Sequence, residues 1–195
     1  MTEAAAATSP LVHRQLPNHI RLARLSVIHV TRTRERMADI DDIDLVLIEL
    51  LQKDARTPQA QLAAQVGLAA SSVNERIRKL GERGLIQGYH AQISAEAMGY
   101  DLLAFLYIAW SKPETEKAFL KKVLSQPVVM EAHHVTGTWN YMLKVRVKNT
   151  RMLEGLLAKV IKAVPGVERT ETIIVLSSVK ETAQIPIREP DWMER

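Results

Sequence analysis

The stretch "LAASSVNERIRKLGERGLI", residues 68–86, carries the spacing on which the fold turns. Val73, Ile77 and Leu80 recur at i, i+4 and i+7, which at about 100° per residue places them on one narrow side of a helix. The opposite side presents Ser71, Glu75, Arg78, Lys79 and Glu82, with Asn74 and Arg76 on the flanks. Ser71 or Ser72 is placed to cap the start, with Glu75 at capping-box distance. Two readings fit such a rod: a solvated cover over a small core, or a helix that lies in a groove of DNA.

The flanking residues favour the second reading. Upstream, "DIDDIDLVLIELLQKD" is a helix with Asp41 or Asp42 at its positive end and a stripe of Ile43, Val46, Leu47, Leu50 and Leu51. After "ARTP", Thr57 is expected to cap a second helix, with Pro58 in its first turn and Leu62, Ala63 and Val66 inward. Gly67 ends that helix. Two short helices joined by a glycine turn, the second with a polar and partly basic outer face, describe a helix-turn-helix. Downstream, "GERGLIQGYHAQIS" has the composition of a wing or connecting strand.

Charge alone does not carry this. The chain has 195 residues and a formal net charge of +4. The first 36 residues hold six arginines and two glutamates, which accounts for the whole excess. The rest is neutral, although residues 53–83 carry a local excess of three positive charges. That N-terminal stretch faintly resembles a transit peptide or a basic phosphate-binding arm, but reads best as a disordered leader over residues 1–38, with Met37 as an alternative initiator. There is no cysteine, which excludes disulfides and thiolate-held metal. No apolar run approaches the ~18 residues of a membrane span.

From about residue 101 the rhythm changes. "LLAFLYIAW" (102–110) reads as a strand buried on both faces. "ETEKAFLKKVLSQ" is an amphipathic helix with Phe119, Leu120, Val123 and Leu124 inward. "VVMEAHHVT" and "YMLKVRVK" are strands joined through Gly137-Thr138-Trp139-Asn140. "RMLEGLLAKVIKAV" is a second helix, broken by Pro165-Gly166, and "RTETIIVLSSVKE" is the last strand. The order βαββαβ is that of a ferredoxin-like sandwich. Its two helices cover one face of the sheet only. Leaving the apolar second face wet would cost several kcal/mol at ~25 cal/mol per Å², so a partner sheet, most simply from an identical chain, is expected to cover it. Lys144, Arg146 and Lys148 require water or anionic partners on one side of their strand.

In order along the chain, "DIDLVLIELLQKDARTP", "LAAQVGLAASSVNERIRKLGERGLIQGY", "HHVTGTWNYMLKVRV" and "VPGVERTETIIVLSSVK" resemble the leucine-responsive/asparagine-responsive (Lrp/AsnC, feast/famine) bacterial transcription regulators. The likeness covers residues 39–182, about three quarters of the chain. It implies an α+β protein: a winged helix-turn-helix over 39–88, a linker over 89–100, a ferredoxin-like effector-binding and oligomerisation domain over 101–182, and a tail over 183–195. It further implies a cytoplasmic, nucleoid-associated homodimer, assembling to octamers, that binds double-stranded DNA and a small amino acid, with no cofactor. Two reading heads about one helical turn apart, ~34 Å, would demand a roughly palindromic site.

Residue by residue, Ser71, Ser72, Asn74 and Arg78 match the family's base- or backbone-facing positions, while Arg76 and Lys79 suit phosphate. The family's effector signature, Gly-x-x-Asp-Tyr, is met by Gly137 and Tyr141, but position 140 is Asn. Asn140 offers a dipole where an aspartate would offer a charge to an ammonium group, or it simply shapes the hairpin. Thr136 and Thr138 add polar contacts, and Thr170 and Thr172 are weaker candidates. His133 and His134 invite a metal or haem reading, but adjacent strand residues point to opposite faces and cannot chelate together. A tetrapyrrole decarboxylase of this fold, and a small-molecule sensor without DNA binding, are the competing classes.

Overall fold

In the computed structural model, residues 40–189 are described. The leader expected over 1–38, with Met37, lies outside them, as do the last residues of the tail. The described chain divides into two compact units, one running to Tyr89 and taking in the residues from Pro186, the other spanning His90–Ile185.

Among the described residues, three helices make up the first unit. Helix α1, Asp42–Lys53, starts at Asp41, whose carboxylate accepts the Asp44 N–H at 2.9 Å. Helix α2, Gln59–Val66, ends at Gly67, which takes the left-handed φ of +67° that a glycine adopts without strain. Thr57 does not cap α2. Pro58 holds the N-cap position, and the Thr57 hydroxyl donates back to the Asp54 carbonyl, closing the turn that ends α1. Helix α3, Ala70–Glu82, begins one residue before the serines, so neither Ser71 nor Ser72 caps it and no capping box forms. Leu47, Leu62, Ala63 and Val73 form the core, with Ile43, Leu50, Leu51, Val66, Leu68 and Ile77 packed around it. After α3 the Leu85 and Ile86 N–H groups close back onto the Leu80 carbonyl, and no strand forms between there and residue 101. The expected wing or connecting strand does not form: among the described residues, 87–94 pair with no strand.

The second unit is the expected βαββαβ: β1 Leu102–Ala109, α4 Thr115–Val123, β2 Val129–His134, β3 Tyr141–Val147, α5 Thr150–Leu156 and β4 Arg169–Ile174. The sheet order is β2-β3-β1-β4 with every pair antiparallel, the ferredoxin-like arrangement. Asn149 caps α5 by accepting the Met152 N–H at 2.9 Å. The single helix expected over 151–164 instead widens into a π turn at Leu157–Ile161. Leu156 and Ile161, five apart, are both buried as a result, while Leu157 and Val160 are only partly so. Leu124, expected inward, is exposed, because α4 ends at Val123.

The two sheet faces differ. Ala104, Leu106, Ile108, Leu143, Val145 and Val147 lie fully buried in one core with Phe119, Val123 and Ile161 from the helices. On the other face Phe105 and Tyr107 are half-buried, and Ile173, the cross-strand neighbour of Phe105, is 47% exposed. The basic residues of β3 do find anionic partners, and these belong to the same chain: Lys144 pairs with Glu131 (3.1 Å) and Glu181 (2.6 Å), and Arg146 with Glu181 (2.5 Å). Lys148 lies over the Tyr100 ring.

Candidate nucleic-acid interface and effector hairpin

Helix α3 has one buried side, Val73 and Leu80, and leaves Ser71, Ser72, Asn74, Glu75, Arg78, Lys79 and Glu82 exposed. Its two flanking polar residues are held from neighbouring helices. Arg76 Nη1 donates to Asp41 Oδ2 and to Asp44 Oδ1, both at 2.8 Å, joining α3 to the start of α1. Asp44 is buried, so this pair works in partly desolvated surroundings, and Asp44 and then Asp41 hold the Arg76 guanidinium above its ordinary pKa. Asn74 Oδ1 accepts from Gln59 Nε2 of α2 at 3.0 Å.

On the exposed side Arg78 is gripped by carboxylates of its own helix. Nε and Nη2 donate to the two oxygens of Glu75 at 2.8 and 2.7 Å, a side-on fork, and Nη1 donates to Glu82. The Arg78 hydrogen bonds hold the Glu75 carboxyl down to about 2. Lys79 Nζ stands 3.7 Å from Glu75. Formally, the two cations and two anions of this surface cancel.

The β2–β3 hairpin presents Thr136, Gly137 and Thr138 to solvent. Gly137 has φ +106°, a conformation that side-chain-bearing residues rarely adopt. Asn140 ties the hairpin to β1: its N–H donates to the Ile108 carbonyl (2.9 Å) and its Oδ1 accepts the Trp110 N–H (2.8 Å). Tyr141 is buried among Trp110 and Phe119, with the His134 ring stacked on it at 5.1 Å. Its hydroxyl donates to Glu116 Oε1 at 2.7 Å, and burial, together with that carboxylate, pushes its pKa up to about 12. At the hairpin tip the Arg169 guanidinium lies over the Trp139 ring (4.6 Å) and donates to the Thr138 carbonyl (3.0 Å).

Set against known proteins, residues 40–81 match the AsnC-type helix-turn-helix domain and residues 103–185 the Lrp/AsnC ligand binding domain. The chain belongs to the Lrp/AsnC family of transcriptional regulators. It is 37% identical to the HTH-type transcriptional regulator FL11 of Pyrococcus furiosus over 149 residues, 76% of this chain and 97% of that one. Among solved structures it is similar to Escherichia coli AsnC (30% identity, TM-score 0.71, 75% of this chain and 99% of that one). It is also similar to the feast or famine regulatory protein from M. tuberculosis complexed with L-methionine (36%, TM-score 0.69, 74% and 97%).

Within this Lrp/AsnC frame, α3 and the β2–β3 hairpin contain the main candidate residues expected from sequence, while the weaker candidates Thr170 and Thr172 lie on β4. The structure adds what spacing cannot show. Ser71, Ser72, Arg78 and Lys79 share the exposed side of α3 with Asn74, whereas Arg76 is taken up by α1. Thr136, Gly137 and Thr138 are at the hairpin surface, but Asn140 and Tyr141 point their polar atoms at Trp110 and Glu116 of the same chain. Gln59, Asp44, Glu116 and Arg169 leave no signal in the spacing, since each acts through a residue far away in sequence. His133 bonds Glu131 (3.0 Å) while His134 stacks on Tyr141, so the two imidazoles are separately engaged. Among the described residues no cluster of histidine and acidic side chains is placed to hold a metal ion, and no helix is long and apolar enough to cross a membrane.

Proposed function

We propose that this Lrp/AsnC regulator inserts α3 into the major groove of a roughly palindromic DNA site and that a small amino acid bound near the β2–β3 hairpin modulates it. The observation that carries the reading is the division of α3 into a buried seam and an exposed side bearing Ser71, Ser72, Asn74, Arg78 and Lys79. Arg78 is the base reader and Lys79 the phosphate contact, with the serines on bases or backbone and Asn74 presented by Gln59. Arg76 positions α3 from behind through Asp41 and Asp44.

For the effector, the hairpin supplies Thr136, Gly137 and Thr138 as polar contacts, while Asn140 and Tyr141 fix its shape. The L-methionine bound to the relative from M. tuberculosis supports an amino acid as the ligand class here. The exposed Ile173 beside the half-buried Phe105 and Tyr107 supports pairing of two chains through their sheets, with higher assembly building on that dimer. Regulation rather than catalysis is the role, in keeping with the engagement of both histidines.

A gel shift at fixed salt, using a duplex enriched by the full chain from a random library, tests this with and without each of the common amino acids. Arg78→Ala is expected to weaken binding by ~1–3 kcal/mol and relax the sequence preference, and one or more amino acids should alter the shift. Equal binding by the variant rejects the base contact, and indifference to every amino acid rejects the effector.

A further inference from the structure

The exposed side of α3 contains two glutamates that both hold Arg78, the arginine proposed to read DNA, and Glu75 also stands 3.7 Å from Lys79. Glu75 takes the side of the Arg78 fork, Nε and Nη2, and Glu82 takes Nη1 at its end. All four groups of this surface are exposed, so the contacts are weak enough to exchange. We infer that Glu82 is a specificity-determining residue of this regulator: it withholds the end of the Arg78 guanidinium from phosphate and releases it to the neutral acceptor pair of a guanine edge. This rests on the reading of α3 as the DNA-binding helix.

The physical basis is a difference in charge. Guanine O6 and N7 accept a bidentate arginine without carrying a formal charge. They can replace Glu82 at the guanidinium end while Glu75 still steadies its side. A phosphate arriving at the same place brings a further negative charge beside Glu75 and Glu82, whose charges already balance those of Arg78 and Lys79, so repulsion offsets its attraction. Non-specific binding depends on such phosphate contacts. A regulator must find its site among a large excess of other DNA, and a carboxylate that penalises phosphate more than base raises the ratio that matters.

The test uses the full chain and two DNA probes: sheared genomic DNA of mixed sequence and the duplex enriched from a random library. Glu82→Gln keeps the side-chain shape and removes the charge. The expected result is about fivefold tighter binding to mixed DNA, with a log K against log salt slope steeper by about 1, as for one added phosphate contact. The enriched duplex should gain less, so the specificity ratio falls. In an Arg78→Ala background the same change should have no such effect. Unchanged affinity and slope for mixed DNA would overturn the inference. So would an equal gain without Arg78, which would reduce Glu82 to general repulsion. Should the unaltered chain bind neither probe, the DNA-binding reading itself fails, and this one with it. Thermal melting of each variant confirms that the fold is intact.

Discussion

Arg76 and Arg78 are two residues apart on one helix and have opposite fates. The guanidinium of Arg76 turns inward to a buried and a half-exposed carboxylate of α1, and that of Arg78 lies across the outer surface. Spacing puts Arg78 on the outer side and Arg76 on a flank, but that carboxylates of α1 and its cap claim Arg76 is decided by the position of α1. Tyr141 makes the same point, because its match to an effector signature coexists with burial and a hydrogen bond to Glu116. This environment predicts a pH dependence. The folded-state pKa of Tyr141 is pushed up to about 12, above the usual 10.0, so folding favours the protonated phenol. Its contribution is complete below pH 10 and is lost as pH rises from 10 towards 12. Lys144, raised by its bond to Glu181, acts in the same direction. The melting temperature should therefore fall across that window, and Tyr141→Phe should show a shallower fall at a neutral-pH cost of ~0.5–1.5 kcal/mol. Identical slopes for the two proteins would remove Tyr141 from the account.

Among the elements, glycine turns set where helices and strands stop, and they differ in why glycine is needed. Gly166, between the π turn and β4, has φ +94°, and an added Cβ would fall 2.2 Å from the Thr115 hydroxyl at the start of α4. Gly137 has φ +106° but open space around it. Gly166→Ala should accordingly lower the unfolding free energy by about 3 kcal/mol, combining backbone strain with a clash. Gly137→Ala should cost only about 1 kcal/mol. Urea unfolding of the two variants checks both, and equal losses would show that the contact with Thr115 is relieved by movement. The element order βαββαβ was legible from apolar runs and their length, whereas the π turn was not, because Leu156, Leu157, Val160 and Ile161 are all apolar and satisfy an α spacing equally well.

For the whole molecule, the question is what lies against the second sheet face. Part of it is occupied by the chain's own Glu181, which neutralises Lys144 and Arg146. The part around Phe105 and Ile173 remains apolar and accessible. Replacing Phe105 by Glu places a charge there without touching the helix-covered core. If two chains meet on this face, light scattering should show the Phe105→Glu protein as a smaller species than the unaltered one at the same concentration. An unchanged mass would locate the association elsewhere.

The sequence by itself determined the element order, most of the buried seam of each helix and the candidate polar residues of α3, because those follow from local periodicity and from side-chain chemistry. The tertiary structure decided which of those residues are available. Asp44 claims Arg76, Glu116 claims Tyr141 and Trp110 claims Asn140, each across 25 or more positions of chain. A hydrogen bond between distant segments leaves no period in the sequence, since its geometry exists only once the cores have packed.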